Sequence, residues 1–134
     1  YKVNVIHPID YGVQVYDDVI YASRDLINNS PRVVEKFLRA TFRGWEETIK
    51  NPAHAVTHTL EYTSNGDREH QLGLLHRTIP YVHTGEVPVG WMDDDVWKDI
   101  IRLTHKVGLT GISPPVDRVV EDGFILKIYK GGAE

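Results

Sequence analysis

The stretch from Ser30 to Asn51 constrains the fold of this chain most. Ser30-Pro31 is a helix start, because Ser can cap and Pro at the first helical position lacks only an N–H that would go unpaired anyway. Val34, Phe37, Leu38, Thr41, Phe42, Trp45 and Ile49 then recur at three- and four-residue spacing and make one apolar face. Arg32, Glu35, Lys36, Arg39, Arg43, Glu46 and Glu47 occupy much of the rest. Asn51-Pro52 interrupts the pattern, so the predicted helix ends near Lys50. At about 1.5 Å per residue it spans roughly 30 Å, the width of a small domain. One face of such a helix must be covered by other elements.

Further helices follow. Pro52 to about Tyr62 is predicted as a second helix, Asn65-Gly66-Asp67 as a turn, and Arg68–Ile79 as a third helix ended by Pro80, with Leu72, Leu75, His76 and Ile79 on one side. Asp93-Asp94-Asp95 opens a fourth, where acidic groups suit the partial positive charge of a helix N-terminus. Its stripe is Val96, Trp97, Ile100, Ile101, Thr104 and Val107, with Gly108 as the C-terminal cap. Val116–Glu121 is expected to form one helical turn. Three short runs read as strands: Tyr1–Ile9, Asp18–Ala22, and a terminal one in which Phe124, Leu126 and Ile128 alternate. The expected class is therefore α/β, helix-rich. Two or three strands with open edges do not close a sheet, so another chain segment or a second copy must complete them.

Composition narrows the function classes. A chain of 134 residues suits one domain or a piece of a larger one. With no cysteine it has no disulfide scaffold, no Cys-ligated zinc or iron–sulfur site and no thiol nucleophile. A net charge of -4 gives no general attraction to nucleic acid. No apolar run approaches the roughly 18 residues of a membrane span. The first residue is Tyr1 rather than Met, which leads us to expect a processed product, a cloned domain or a fragment.

The seven histidines invite a metal reading. His54 and His58 stand four apart on a predicted helix and share a face, with His70, His76 and His83 in the following segments. The plainer reading is of exposed or hydrogen-bonded helix histidines, since Ala55 stands where a zincin would carry its catalytic Glu. None of Ser23, Ser30, Ser64 or Ser113 lies in a Gly-x-Ser-x-Gly elbow, and no phosphate-binding glycine loop occurs. Asp93–Asp95 reads as a solvated helix start before it reads as a cation site. Trp45 and Trp97 sit on helical stripes and read as core. No cofactor and no metal site is implied. The segment His7-Pro8-Ile9-Asp10-Tyr11-Gly12 gathers an imidazole, a carboxylate, a phenol and a glycine within six positions, a set able to orient a small polar ligand. An ordinary turn, with Asp10 bonding its own backbone, is the competing account.

Asp10-Tyr11-Gly12-Val13, the run Tyr16–Ser23, and Asn29-Ser30-Pro31-Arg32-Val33-Val34-Glu35 continuing to Arg43-Gly44-Trp45 resemble type 2 periplasmic substrate-binding proteins of ABC importers. Within that family the chain is most similar to binders of thiamine pyrimidine precursors, aliphatic sulfonates and nitrate. Pro52–Val56, Trp91–Trp97 and Gly108-Leu109 resemble later pieces of the same pattern. The resemblance covers the C-terminal part of a bilobed fold. It implies that residues 1–9 are the last strand of the second lobe, 10–15 a hinge crossing, and 16–134 the C-terminal portion of the first lobe. It makes His7, Asp10, Tyr11 and Gly12 the ligand-binding candidates. The implied function is binding of a small polar or aromatic solute, a pyrimidine first, in a periplasmic or extracytoplasmic setting, free or membrane-tethered, with an ABC permease as partner of the full-length parent. An extracytoplasmic sensory domain of the same fold is the alternative, and a stand-alone dimerising helical module a third. An iron-dependent pyrimidine synthase shares this fold but carries a cysteine-rich motif, which a chain without cysteine does not match. The expectation is of a binding protein, not an enzyme.

Overall fold

The computed structural model describes residues 3–16, 18–64 and 66–130. Tyr1 and Lys2 of the expected first strand, Asp17, and Asn65 of the expected turn lie outside the described residues. The architecture is helical: α1 is Arg24–Asn29, α2 Pro31–Lys50, α3 Pro52–Glu61, α4 Arg68–Val82, α5 Asp94–Lys106 and α6 Gly123–Lys130, with short 3-10 turns at Pro8–Tyr11 and Val116–Arg118. No described helix is long and apolar enough to cross a membrane. The chain divides into two compact units, one drawn from Tyr1–Tyr21 and Met92–Asp122, the other from Ala22–Trp91 and Gly123–Glu134.

The three expected strands are absent from the described residues. Residues 3–7 and 19–23 have no regular structure, and the terminal alternation is the helix α6. A strand is stable only when its N–H and C=O groups find a partner strand, and none is described here. In α6 the continuous run Phe124-Ile125-Leu126-Lys127-Ile128-Tyr129 satisfies both periods, as short apolar runs do. Burial of Ile125 and Ile128, three apart, settles it as helical.

In the second unit α2 packs on α1, α3 and α6, and α3 packs on α4. The buried core is Leu38 and Phe42 of α2, Val56 of α3, Val89, and Ile125 and Ile128 of α6. Phe37, expected on the buried stripe, is 58% exposed instead. Ser23 caps α1 by accepting from the Leu26 N–H at 3.1 Å. Ser30 is the single residue joining α1 to α2, and its side chain makes no cap bond. Asn51 likewise ends α2 and starts α3, its side chain accepting from the His54 N–H at 3.3 Å. Pro80 does not end the third helix, which runs on to Val82. The ring removes one backbone donor in the last turn, and the helix closes beyond it with the His83 N–H donating to the Ile79 carbonyl at 2.9 Å.

Phe42 is the centre of this unit. Its ring stacks on Tyr129 of α6 with centroids 5.9 Å apart. The Tyr129 hydroxyl donates to the Val89 carbonyl at 2.8 Å. Gly90 follows with φ 83, and a Cβ there would meet the Phe42 ring. Glycine is required at Gly90 both by its backbone angle and by this close approach.

In the first unit, Asp93 caps α5 by accepting from the Asp95 N–H at 2.8 Å, and Asp95 pairs with Lys98 at 2.7 Å. The acidic triplet is thus a helix start, with Asp93 as its cap and Asp95 paired with Lys98. At the other end the Leu109 N–H donates to the Thr104 carbonyl at 2.9 Å and the Gly108 N–H to the His105 carbonyl at 3.1 Å. With Gly108 at φ 76 this is a Schellman closure, as the position of the glycine led us to expect. Ile101 is buried, and α5 packs on the Val116–Arg118 turn.

Candidate functional site

The segment His7–Gly12 folds as one tight turn. Pro8 supplies a fixed φ and no donor at the first helical position. The Asp10 N–H donates to the His7 carbonyl and the Gly12 N–H to the Ile9 carbonyl, each at 3.0 Å. The Val13 N–H reaches back to the Pro8 carbonyl at 3.0 Å, and Gly12 leaves the turn with φ 71. His7, Asp10, Tyr11 and Gly12 therefore share a single bend, and all four are exposed. Tyr11 is 74% exposed. The backbone of this turn is closed by its own bonds, so its side chains are left to face solvent or a ligand.

The chain leaving the turn is held in place. The Tyr16 hydroxyl accepts from the Asp93 N–H at 2.8 Å, and its ring lies against Trp97 with centroids 5.6 Å apart. Tyr16 thus ties the segment after the turn to the first turn of α5. Sequence reasoning missed this role, because a lone Tyr in an aperiodic stretch carries no spacing signal. Trp97, expected as a core residue, is half-buried against it.

The other unit has a groove of about 230 Å³ lined by Arg39, Phe42, Arg43, Glu46, Ile128 and Tyr129. Typical small-molecule sites run from about 300 Å³ upward. Beside it, Glu35 accepts from both Lys127 at 2.7 Å and Arg39 at 2.9 Å. The Lys127 hydrogen bond first, and the Arg39 bond second, hold the Glu35 carboxyl below its ordinary range. Burial pushes the Tyr129 phenol up, with the Glu46 charge adding to it. These groups lock α6 onto α2 more than they shape a ligand site.

Among the histidines, His54 and His58 come together on α3, with their Nε2 atoms 3.3 Å apart. His70 and His76 stand exposed on α4, and His83 is its C-terminal cap. No group of three or more His, Cys, Asp or Glu placed to hold a metal occurs among the described residues.

Comparison with known proteins places these features. Residues 1–55, which hold the His7–Gly12 turn, α1 and α2, match the family described as NMT1/THI5 like. The chain carries an NMT1/THI5-like segment. The chain is 30% identical to the riboflavin-binding protein RibY of Chloroflexus aurantiacus, over 85% of this chain and 33% of that protein. It is 25% identical to a formylaminopyrimidine-binding protein of Halalkalibacterium halodurans, over 75% of this chain and 32% of that protein. The chain thus spans about a third of the length of the curated relatives it matches. Both relatives are binding proteins and not enzymes by name. No solved structure gives a significant match. The NMT1/THI5-like segment agrees with the periplasmic-binding-protein family expected from Asp10–Val13 and from Ser30–Trp45, and it does so for a fragment.

Proposed function

We propose that the chain is the C-terminal part of a solute-binding protein that serves an ABC importer outside the cytoplasm. The observation that carries this is the pair of relatives. Both are named for the solutes they bind, and the two alignments run over 85% and 75% of this chain. Riboflavin and a formylaminopyrimidine share a flat nitrogen heterocycle with hydrogen-bonding edges. A site for either needs an aromatic face to stack on and a few polar groups to read the edge.

On this reading residues 1–9 leave the second lobe, 10–15 cross the hinge, and 16–134 belong to the first lobe. The exposed His7, Asp10, Tyr11 and Gly12 turn then faces the cleft, with Tyr11 as a stacking surface and Asp10 as an acceptor for ring or amino N–H groups. Closure of the lobes on the solute is a hinge motion without bond chemistry. The turn suits that place, because its backbone is internally bonded and Tyr16 anchors the chain after it.

Calorimetry on the full-length parent tests the reading. Saturable binding of riboflavin or a formylaminopyrimidine is expected, with sulfonates and nitrate silent. Asp10→Ala should weaken binding about tenfold, the worth of one hydrogen bond to a charged group. The absence of binding to either heterocycle would overturn the proposal. Unchanged affinity in both Asp10→Ala and Tyr11→Ala would remove the turn from the site.

A further inference from the structure

The exposed face of α3 holds an arrangement that solute binding does not use. His54 and His58 are one helical turn apart, and their Nε2 atoms lie at 3.3 Å. The rings meet edge to face, with centroids 4.5 Å apart and planes at 87°. At this distance one neutral imidazole can donate to the other, in a bond longer than the usual length of about 2.9–3.0 Å. The same separation is also the span that two nitrogens subtend when each sits about 2.0–2.1 Å from one tetrahedral ion.

A third residue fixes the orientation. Glu61 Oε1 stands 3.4 Å from His58 Nδ1, one further turn along the same face. A carboxylate there favours the proton on Nδ1 and leaves Nε2 with its lone pair free on the side of His54. That is the support histidine ligands commonly receive. The helix beneath is held as well: Arg68 of α4 donates to Thr57 Oγ1 at 2.7 Å and to the Ala53 carbonyl at 3.3 Å, the residues just before His58 and His54.

We infer that His54 and His58 form a two-point chelate for a divalent first-row transition ion, such as zinc, with Glu61 as the positioning residue for His58. The protein supplies two nitrogen ligands and water completes the shell. Imidazole ligands select zinc, copper or nickel over magnesium and calcium, which prefer oxygen. Both rings are exposed, so an ion reaches them without opening the core.

Calorimetry of the 134-residue chain with zinc chloride, and with magnesium chloride as the comparison, tests the site. One zinc per chain is expected, with no magnesium binding. His54→Ala and His58→Ala should each weaken zinc binding at least about tenfold, since the second contact is then no longer intramolecular. Glu61→Gln should weaken it about tenfold, and nitrogen NMR should show the His58 ring losing its preference for the Nδ1-protonated form. His76→Ala on α4 should change nothing. Circular dichroism establishes that each variant stays folded, as substitution at exposed positions allows. Wild-type zinc affinity in both single histidine variants would overturn the proposal, as would equal binding of magnesium or no zinc binding at millimolar concentration.

Discussion

Glu35 shows how one residue of the polar face of α2 does more than keep that face wet. It accepts from Arg39 on its own helix and from Lys127 on α6, and its side chain is only 17% exposed. The 92-residue separation between Glu35 and Lys127 is why no periodicity could reveal the pair. The Glu35–Arg39 contact, by contrast, has the i,i+4 spacing that a helix brings together. The same blindness hid Tyr16, whose partners Asp93 and Trp97 lie far along the chain. Because its folded pKa is depressed, Glu35 contributes stability that is full at neutral pH and is lost as pH falls through that lowered value. Glu35→Gln should therefore lower the melting temperature at pH 7 and leave it nearly unchanged at pH 2. The gap between the two melting curves should close on the acid side of the ordinary carboxylate value of 4.5. Thermal scans from pH 2 to 7 measure this, and a constant gap across that range would contradict it.

At the scale of elements, the long helix was legible because Ser30-Pro31 and Asn51-Pro52 bracket it and a long stripe runs between them. α5 was legible for the same reason, α3 from Asn51-Pro52 at its start, and the closure at Gly108 from its glycine. Two readings failed on competing signals. Pro80 lies inside α4 and removes one backbone donor, and the helix closes beyond it through the His83 N–H to the Ile79 carbonyl. The terminal run failed as a strand because alternation of Phe124, Leu126 and Ile128 ignores Ile125, which is 6% exposed. That difference gives a test. A strand with Ile128 facing inward would point Ile125 outward, and Ile125→Ala would be nearly neutral. In α6 both Ile125→Ala and Ile128→Ala should cost about 2–4 kcal/mol, as buried large-to-small changes do. Urea denaturation with an unchanged m value is the measurement. The α1 helix went unread, being only Arg24–Asn29 and lacking room for a stripe.

For the whole molecule, the likeness to substrate-binding proteins was legible in short motifs, while the structural elements around the proposed site were not. Val3 at 76%, Ile6 at 73% and Ile9 at 64% exposure are apolar groups that a finished surface would cover. The relatives are roughly two and a half times as long as the chain, and in the function proposed above these groups face further sequence of the full-length parent. The 134-residue chain by itself should therefore self-associate, and light scattering at micromolar concentration should give a mass above the monomer's 15.3 kDa. A clean monomer would remove that expectation.

The division of the chain also bears on how it is made. Residues 22–91 form most of one unit, yet the helix that supplies Ile125, Ile128 and Tyr129 to its core comes after a 31-residue excursion through the other, Met92–Asp122. During synthesis at about 5–20 residues per second, that core waits some seconds for its last wall. Throughout that interval Phe42 has no Tyr129 to stack on, and the nascent protein offers a hydrophobic ring to whatever chaperone meets it first.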